Sequence, residues 1–342
     1  MTQMKRIVLA SRPTGAPTDD NFRLEEAELP TPGEGEIAVK VSYMSLDPYM
    51  RGRMDDIKSY AAPVPIGGTM EAGAIGRVIQ SNHPDWKEGD YAVGRFGWAD
   101  HGVAKGDQCL KFDPDTAPLS TALGVLGMPG FTAWAGMTAY GKMKQGETLV
   151  VGAATGPVGS MVGQLAKEAG LRVVGVAGGD EKCRMAVETF GFDACVDHKG
   201  KDARAMKEAL KSECPDGIDI YFENVGGPTL GGVLPLMNLH GRIIVCGMIA
   251  WYNGNEDETA GFPTGKLWRM ILVNRLTIQG LLQTDHVARM PEFLKETAPK
   301  VKSGKIAYVE DVAEGLENAP KAFMSLLKGG NVGKQVVKIS DA

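Results

Sequence analysis

The pattern of apolar and polar positions changes once along the chain. Up to about Leu123 it consists of short alternating runs rich in β-branched residues, such as 37–43, 74–79 and 89–94, with Pro and Gly turns between them. Alternation with a period of two is typical of strands that bury one face. This part of the chain is therefore predicted to form an antiparallel, barrel-like β domain.

From about Met128 strands and helices alternate. The apolar run 148–152 is typical of a strand covered on both faces, and residues 158–170 predict an amphipathic helix that Gly170 ends. A strand at 171–177 and a helix at 181–190 follow. Further strands are predicted at 195–196, 218–222, 242–246 and 276–279. Alternating strands and helices predict an α/β fold with a parallel, doubly wound Rossmann sheet.

The C-terminal part of the chain returns to the short strand-like runs of the first 123 residues. Residues 305–309 and 334–339 read as strands around a helix at 312–327, and residues 250–265 read as a long loop. We therefore expect a split first domain, residues 1–125 with 303–342, and a second domain at residues 126–302.

Composition narrows the classes of partner. The 342 residues carry 37 basic and 42 acidic side chains, a net charge of −5, which disfavours nucleic acid as a ligand. No apolar run has the length of a membrane span, and the first ten residues lack the apolar core of a signal peptide. Five cysteines without a CxxC pair indicate free thiols. A cytoplasmic protein is expected.

The segment after the first predicted buried strand carries a dinucleotide-binding pattern. Ala154, Gly156 and Gly159 form an A-x-G-x-x-G fingerprint between a strand and a helix. Small residues there allow a tight turn, close approach of the backbone to a pyrophosphate, and close packing of helix on sheet. The helix N-terminus then faces the anion. The alternative is a glycine-rich turn without a ligand.

The end of the next strand indicates which nicotinamide cofactor binds. NAD sites place an acidic residue there for the ribose 2′-hydroxyl. Here Ala177 is followed by Gly178 and Gly179, without an acid at the strand end. Asp180 and Glu181 come next, and Lys182 follows them on the first turn of the next helix. A small, open strand end beside a cation suits the 2′-phosphate of NADPH. The alternative is that Lys182 is an ordinary solvated helix residue.

Several ordered segments together resemble one family. The chain is similar to the zinc-free medium-chain dehydrogenases/reductases of the prostaglandin reductase and leukotriene hydroxydehydrogenase group, most of all to bacterial NADPH-dependent curcumin reductases and plant alkenal double-bond reductases. The likeness covers nearly the whole chain. Its carriers are residues 46–51, 127–133, 153–159, 178–182, 221–227, 246–253, 315–320 and 327–334.

The resemblance implies a GroES-like domain and a Rossmann domain with the active site in the cleft between them. It also implies a homodimer whose sheets join edge to edge near residues 276–282. His198 stands where several members place a tyrosine near the 2′-phosphate. The residues that the resemblance assigns to the cofactor are Gly156, Pro157, Val158, Gly159, Gly179, Lys182, His198, Asn224, Cys246, Gly247, Met248, Ile249, Tyr252, Leu281, Asn331, Met128 and Thr132.

No metal site is expected. No cysteine precedes Cys109, and His83 and His101 are isolated from any thiol, so the ligands of a catalytic zinc are missing. Without a Lewis acid to polarise an alcohol or ketone oxygen, reduction of an activated C=C bond becomes the more natural reaction.

The expected reaction is hydride transfer from NADPH to the β-carbon of an enone or enal. Tyr252 is the first candidate for a donor to the enolate oxygen, or to the nicotinamide ribose, and Tyr49 is the second. Water can protonate the α-carbon. Either tyrosine could instead serve in packing. The alternatives are a quinone reductase of the same superfamily, a zinc alcohol dehydrogenase, and a non-catalytic NADPH-binding protein.

Overall fold

The structure is a computed structural model that describes residues 3–254 and 264–341. It divides into two compact units, one of Met1–Gly127 with Glu310–Ala342 and one of Met128–Val309. Within the described ranges, no helix combines the length and the apolar character needed to cross a bilayer.

The first unit begins with an antiparallel β ribbon and continues into a larger sheet. Burial follows the period-two pattern only in part, because β1 starts with alternating residues and ends in three buried ones, and β3 is buried along most of its length. The elements are β1 (Gln3–Leu9), β2 (Phe22–Glu28), β3 (Glu36–Ser45), α1 (Met50–Arg53), β4 (Gly73–Ser81), β5 (Tyr91–Arg95), β6 (His101–Lys105) and β7 (Leu110–Phe112).

The second unit contains one six-stranded sheet with helices between the strands. The strands are β8 (Thr148–Gly152), β9 (Arg172–Ala177), β10 (Ala194–Asp197), β11 (Ile218–Glu223), β12 (Met237–Val245) and β13 (Thr277–Gly280). The helices are α2 (Met128–Gly136), α3 (Pro157–Glu168), α4 (Asp180–Glu188), α5 (Ala203–Glu213), α6 (Gly227–Val233), α7 (Thr264–Asn274) and α8 (Met290–Lys302).

All neighbouring strands of this sheet are parallel, in the order β10-β9-β8-β11-β12-β13. The order reverses between β8 and β11, and such a reversal opens a crevice at the carboxyl ends of the two strands. Every residue of β8 is buried, as its unbroken apolar run requires. The predicted α/β fold class with a doubly wound parallel sheet is confirmed.

The chain then returns to the first unit with β14 (Glu310–Glu314), α9 (Ala319–Leu327) and β15 (Lys334–Lys338). The sheet there has the order β14-β15-β3-β4-β5-β7, with β6 also paired to β3. A buried ion pair fixes the return, because Lys334 Nζ lies 2.7 Å from Asp47 Oδ1 just beyond β3. The same ammonium donates to Leu46 O at 2.7 Å.

Two expectations for the tail are wrong. Residues 305–309 are not a strand, and β14 occupies the first residues of the predicted 312–327 helix. The main chain at Ala307 is hydrogen-bonded on both its N–H and its carbonyl to the side chain of Gln164 on α3, at 2.7 and 3.0 Å. That pairing takes the place of a strand partner. Of the predicted loop 250–265, residues 255–263 lie outside the described residues.

Aromatic side chains fill the core of the first unit. Trp98 is fully buried, stacks on Phe22 at 5.5 Å between ring centroids, and meets Phe323 of α9 edge-on at 5.5 Å. Because α9 comes from the tail, this cluster binds the returning segment to the first unit through apolar contact.

Candidate active site

The turn between β8 and α3 has the geometry of a phosphate-binding turn. Gly156 is the extended N-cap residue of α3, and Pro157 is the first helical residue. A Cβ on Gly159 would lie 2.3 Å from Ala153 O, so only glycine allows the helix to approach the strand this closely. The left-handed residue of the turn is Ala153, with φ of 52°, although the sequence pattern assigned the tight turn to Ala154.

The start of α3 presents donors to the space beyond β8. The first main-chain hydrogen bond into the helix runs from Ser160 N to Gly156 O, at 2.9 Å. Pro157 has no N–H, and the N–H groups of Val158 and Gly159 precede any intrahelical acceptor. The positive end of the helix dipole and these donors suit a pyrophosphate.

Basic side chains lie close to Gly178 and Gly179, at the carboxyl end of β9. A Cβ on Gly178 would lie 3.0 Å from His198 Nε2, and one on Gly179 would lie 3.2 Å from Lys199 Nζ. Lys182, on the first turn of α4, is close enough for its charge to act on His198. Lys182, His198 and Lys199 are called the cation cluster below. Such a group of cations suits a phosphate.

Asp197 orders the cation cluster. Its Oδ1 accepts hydrogen bonds from Gly179 N at 2.7 Å and from Lys199 N at 2.9 Å, and these bonds lower the pKa of its carboxyl group. Hydrogen bonds from the backbone therefore stabilise the negative charge of Asp197. Desolvation, followed by the charges of Lys182 and Lys199, lowers the pKa of His198 against the opposing effect of Asp197.

Asn224 joins two segments at the reversal of strand order. It follows β11 directly, and its Nδ2 donates to Gly152 O, the last residue of β8, at 2.9 Å. The side chain thus fixes the separation between the phosphate-binding turn and the turn after β11.

Glu223 holds the turn on which Asn224 lies. Its side chain is 3% exposed, and Oε1 accepts from Tyr221 Oη at 2.8 Å, Val225 N at 2.6 Å and Gly226 N at 2.9 Å. Its main-chain oxygen accepts from Cys246 N at 2.9 Å. Burial raises the pKa of the Glu223 carboxyl group. Through these bonds one residue connects the turns that follow β11 and β12.

The segment after β12 folds back over its own beginning. Tyr252 follows a short 3-10 turn, Ile249–Trp251, and its hydroxyl oxygen accepts a hydrogen bond from Met248 N at 3.3 Å. A Cβ on Gly247 would lie 3.2 Å from the same oxygen. Burial raises the pKa of the Cys246 thiol to about 12, which favours its protonated form at neutral pH.

Three other expected cofactor residues also lie in the second unit. Thr132 lies inside α2 and donates through Oγ1 to Met128 O at 2.7 Å. Leu281 is 5% exposed, and its N–H donates to Val245 O, at the end of β12, at 2.9 Å.

Tyr49 and Asn331 belong to the first unit. Tyr49 immediately precedes α1, packs against the aromatic core, and has its pKa raised by burial and then by the charge of Asp47. Arg53, buried and paired with Glu71 at 2.8 Å, lies 4.2 Å from the ring centre of the exposed Tyr60.

Two further polar side chains of the first unit, those of Arg51 and Asn331, have partners within that unit. Arg51 pairs with Asp55 at 2.7 Å. Asn331 donates through Nδ2 to Gly333 O at 2.7 Å.

The described residues contain no group of three or more His, Cys, Asp or Glu side chains arranged to hold a metal. His83 and His101 each contact a single carboxylate, Asp107 at 2.8 Å and Asp100 at 2.9 Å.

Comparison with known proteins shows the family to which the chain belongs. Residues 5–112 match a family model described as the N-terminal domain of oxidoreductase, and residues 157–298 match one described as zinc-binding dehydrogenase. The chain is 50% identical over 337 residues to the NADPH-dependent curcumin reductase of Escherichia coli, with 98% of this chain and 97% of that protein covered. The chain belongs to the zinc-free medium-chain dehydrogenase/reductase group.

Two more relatives of this group support the assignment. The 2-alkenal reductase (NADP⁺-dependent) of Nicotiana tabacum is 41% identical over 341 residues, covering 98% of this chain and 97% of that protein. The crystal structure of CurA from Vibrio vulnificus in complex with NADPH is 46% identical, has a TM-score of 0.91, and covers 99% of this chain and 100% of that one.

Three residues described in this subsection were not predicted from the sequence. Lys199 was missed although it adjoins His198, because only the pairing of β10 with β9 brings it to the strand end. Glu223 was missed because a buried acid in a strand has no local signature. Tyr60 lies in a polar loop, and its contact with Arg53 has no signal in the sequence.

Proposed function

We propose that this protein uses NADPH to reduce the C=C bond of α,β-unsaturated aldehydes and ketones. The observation that carries the proposal is end-to-end similarity, at 50% and 41% identity, to relatives named NADPH-dependent curcumin reductase and 2-alkenal reductase. In this proposal the second unit binds the cofactor and the first contributes to the substrate site.

The cradle in the second unit fits the cofactor. Gly156 and Gly159 leave room beside the N-terminus of α3 for a pyrophosphate, since a Cβ on Gly159 would meet Ala153 O. Lys182 and Lys199 supply positive charge for the 2′-phosphate, and His198 adds to it when a proton binds, which supports NADPH over NADH. The turns at Asn224 and at 246–252 extend the lining from the phosphates to the reactive ring. Leu281, Met128, Thr132 and Asn331 complete the proposed set.

When bound, NADPH supplies a hydride ion, which adds to the β-carbon of the substrate. Negative charge then develops on the carbonyl oxygen, and a fixed donor that meets it lowers the barrier. Tyr252 is the proposed donor, because a hydroxyl whose oxygen accepts from Met248 N can direct its proton elsewhere. Its other candidate role is a hydrogen bond to the nicotinamide ribose. Water protonates the α-carbon.

Tyr49 is the second proposed substrate contact. Because burial raises its pKa, it stays protonated throughout the neutral range and can donate but not act as a base. Arg53 lies 5.9 Å from the centre of its ring and limits the movement of that ring.

A homodimer is also part of the proposal. β13 is the last strand of its sheet, and all four of its residues are exposed. Apolar side chains of β13 and of the segments that precede and follow it in the chain are unusually exposed: Trp268 66%, Leu272 77%, Val273 55%, Ile278 41%, Leu282 40% and Val287 59%. An open strand edge next to apolar surface suits pairing with a second copy. The five free thiols support a cytoplasmic location.

The dimer is tested by light scattering on the Leu272→Lys variant. A charge in the apolar surface is expected to produce monomers. The control is Leu24→Lys, which places the same charge at a 47% exposed leucine of β2 and should leave the dimer intact. A monomeric parent protein would contradict this part of the proposal.

The activity is tested by following oxidation of the reduced nicotinamide by absorbance. The acceptors are an aliphatic 2-alkenal, an enone, a quinone and a saturated aldehyde. Fast turnover of the alkenal or enone, with little turnover of the saturated aldehyde, is the expected result. Turnover of the quinone alone would assign the protein to the quinone reductases. NADPH binding without any turnover would contradict the proposed reaction.

Cofactor preference is tested in the same assay with NADH and with the Lys182→Ala variant. Loss of a charged contact to phosphate should lower kcat/KM for NADPH about tenfold or more and leave NADH unchanged. Lys211→Ala, on the exposed face of α5, is the control for loss of a surface charge.

A further inference from the structure

Two thiols lie in contact beside the cation cluster. Cys183, on α4, and Cys195, on β10, have their sulfur atoms 3.0 Å apart, and the Cys195 thiol donates toward the Cys183 sulfur. Both residues are half-buried, whereas Cys109 and Cys214 are 9% and 2% exposed. A small oxidant can therefore reach this pair more readily than those two buried thiols.

The contact is close to the geometry of a covalent bond. A disulfide has sulfur atoms about 2.05 Å apart, so bond formation requires an approach of about 1 Å. β10 is held by its pairing with β9, where Cys195 lies opposite Gly175. Cys183 lies in the first turn of α4, which is outside the sheet. We therefore expect this turn, rather than β10, to move.

The two segments that the bond would join also carry the cation cluster. Cys183 directly follows Lys182. Cys195 precedes Asp197, whose carboxylate holds Gly179 N and Lys199 N at 2.7 and 2.9 Å. Movement of the first turn of α4 toward β10 would displace Lys182 relative to His198 and Lys199.

We propose that Cys183 and Cys195 form a reversible disulfide when a hydroperoxide oxidises them, and that this bond weakens NADPH binding at the adjacent cation cluster. The second half rests on the proposed function, and the first half does not. The disulfide makes the reductase responsive to oxidants through its affinity for its own reductant.

The reaction balances in two steps. The Cys183 sulfur attacks the peroxide oxygen, the O–O bond breaks, and a sulfenic acid and an alcohol or water form. The Cys195 sulfur then attacks the Cys183 sulfur, the S–O bond breaks, and water leaves with the Cys195 proton. The two thiols lose two electrons in total, and the hydroperoxide gains them.

The protonation of the pair sets the rate. Burial raises the pKa of Cys183, and the carboxylates of Asp197 and Asp180 add to the rise while the hydrogen bond from Cys195 opposes it. Burial also raises the pKa of Cys195. Because the thiolate is the nucleophile, oxidation should be slow at neutral pH and should accelerate as the pH rises.

The experiment exposes the full-length protein to hydrogen peroxide, blocks residual thiols with a maleimide, and maps the cross-linked peptides by mass spectrometry. The expected result is one cross-link between Cys183 and Cys195 that dithiothreitol reverses. NADPH and NADH affinities are then measured by fluorescence on reduced and oxidised protein. Oxidation should raise the NADPH dissociation constant about tenfold and leave that of NADH within about twofold, since only NADPH carries the 2′-phosphate.

Linkage gives a second readout. If the disulfide weakens NADPH binding tenfold, saturating NADPH must favour the dithiol form by the same factor. For a two-electron couple this raises the midpoint potential of the pair by about 30 mV. NADH should produce no such shift.

Variants separate this proposal from general oxidation. Cys183→Ser and Cys195→Ser should each keep the NADPH affinity of the reduced protein and lose the response to peroxide. Cys109→Ser, the control for loss of a thiol in the first unit, should retain the response. A Cys183→Ser protein that loses NADPH affinity on oxidation would overturn the proposal, as would the absence of the cross-link. A cross-link in a protein that binds no NADPH when reduced would refute the proposed function and the second half of the proposal together.

Discussion

The carboxamide of Asn224 donates a hydrogen bond of 2.9 Å to the main-chain oxygen of Gly152, across the point where the strand order of the sheet reverses. Gly152 is the last residue of β8 and begins the phosphate-binding turn. This side chain thus adds to the pairing of β8 with β11 in setting the position of that turn relative to the turn after β11.

The first prediction concerns this bond. Asn224→Ala removes one neutral hydrogen bond, worth about 1 kcal/mol, and should weaken NADPH binding about fivefold by loosening both turns. The control is Asn238→Ala, which removes bonds to Asp216 O and Asp219 Oδ1 elsewhere in the same unit. Denaturant unfolding should show a loss at least as large for Asn238→Ala, which removes two bonds, one of them to a carboxylate, and fluorescence titration should show weaker binding only for Asn224→Ala. Equal NADPH affinities would contradict the role given to Asn224.

The second prediction separates the two glycines of the fingerprint. Gly159→Ala places a Cβ 2.3 Å from Ala153 O, so it should cost about 1–3 kcal/mol of stability. Gly156→Ala meets only that same oxygen at 3.3 Å, and its φ of −70° suits alanine. It should cost less than about 1 kcal/mol of stability.

The effect of Gly156→Ala on NADPH affinity should have a different cause from its effect on stability. The methyl group of Gly156→Ala would occupy the space expected for the pyrophosphate, so NADPH affinity should fall about tenfold or more in a stable protein. Thermal unfolding and fluorescence titration measure the two effects independently. Wild-type affinity in Gly156→Ala would show that the pyrophosphate does not approach this residue.

The sequence predicted best where the local pattern and the tertiary environment agree. β8 was predicted to the residue, because an unbroken apolar run suits a strand covered on both faces. The left-handed Ala153 could not be predicted, since alanine has no preference for positive φ and the close approach of α3 imposes it. β14, with the sequence EDVAE, reads as helix or coil and is a strand only because β15 pairs with it.

In the candidate site too, the sequence predicted the residues with a local pattern and not those set by tertiary contacts. The glycines of the phosphate-binding turn and Lys182 carry local signals. The contacts of Lys199 and of Cys183 with Cys195 depend on how β10 pairs with β9 and packs against α4. Such contacts join residues distant in sequence, and the spacing of residue types does not encode them.

The third prediction is a pH dependence that belongs to His198. Its pKa is lowered in the protein, so the imidazole is neutral at neutral pH and gains a proton only below its ordinary range of about 6.5. A bound 2′-phosphate favours the imidazolium and raises that pKa. His198 therefore takes up a proton when NADPH binds. As the pH falls from the pKa of His198 in the complex toward its pKa in the free protein, His198 should strengthen NADPH binding.

The phosphate itself also titrates, near about pH 6, so the comparison is between proteins rather than between pH values. The ratio of NADPH affinities, wild type over His198→Gln, should rise about threefold or more as the pH falls through the range near 6.5. His240→Asn, elsewhere in the unit at a φ of 61° that asparagine tolerates, should keep the wild-type profile. A constant ratio would remove His198 from the phosphate site.

The last prediction separates the two roles proposed for Tyr252. Tyr252→Phe keeps the ring and removes the hydroxyl that accepts from Met248 N at 3.3 Å. A donor that acts only on the developing enolate should show as a fall in kcat of about 100-fold, with the NADPH dissociation constant within about twofold of wild type. A donor to the nicotinamide ribose should raise that dissociation constant as well. Unchanged kcat and affinity would leave Tyr252 a packing residue.

Tyr49→Phe provides the comparison. It removes a hydroxyl of the first unit whose raised pKa keeps it protonated, so its loss should raise KM for the enone with a smaller fall in kcat. The ratio of kcat values, wild type over Tyr49→Phe, should stay constant as the pH rises toward about 10, because the half-buried Tyr49, with its raised pKa, does not ionise there. A decline that Tyr49→Phe abolishes would show that Tyr49 titrates in the working enzyme and would contradict its assignment as a donor that stays protonated.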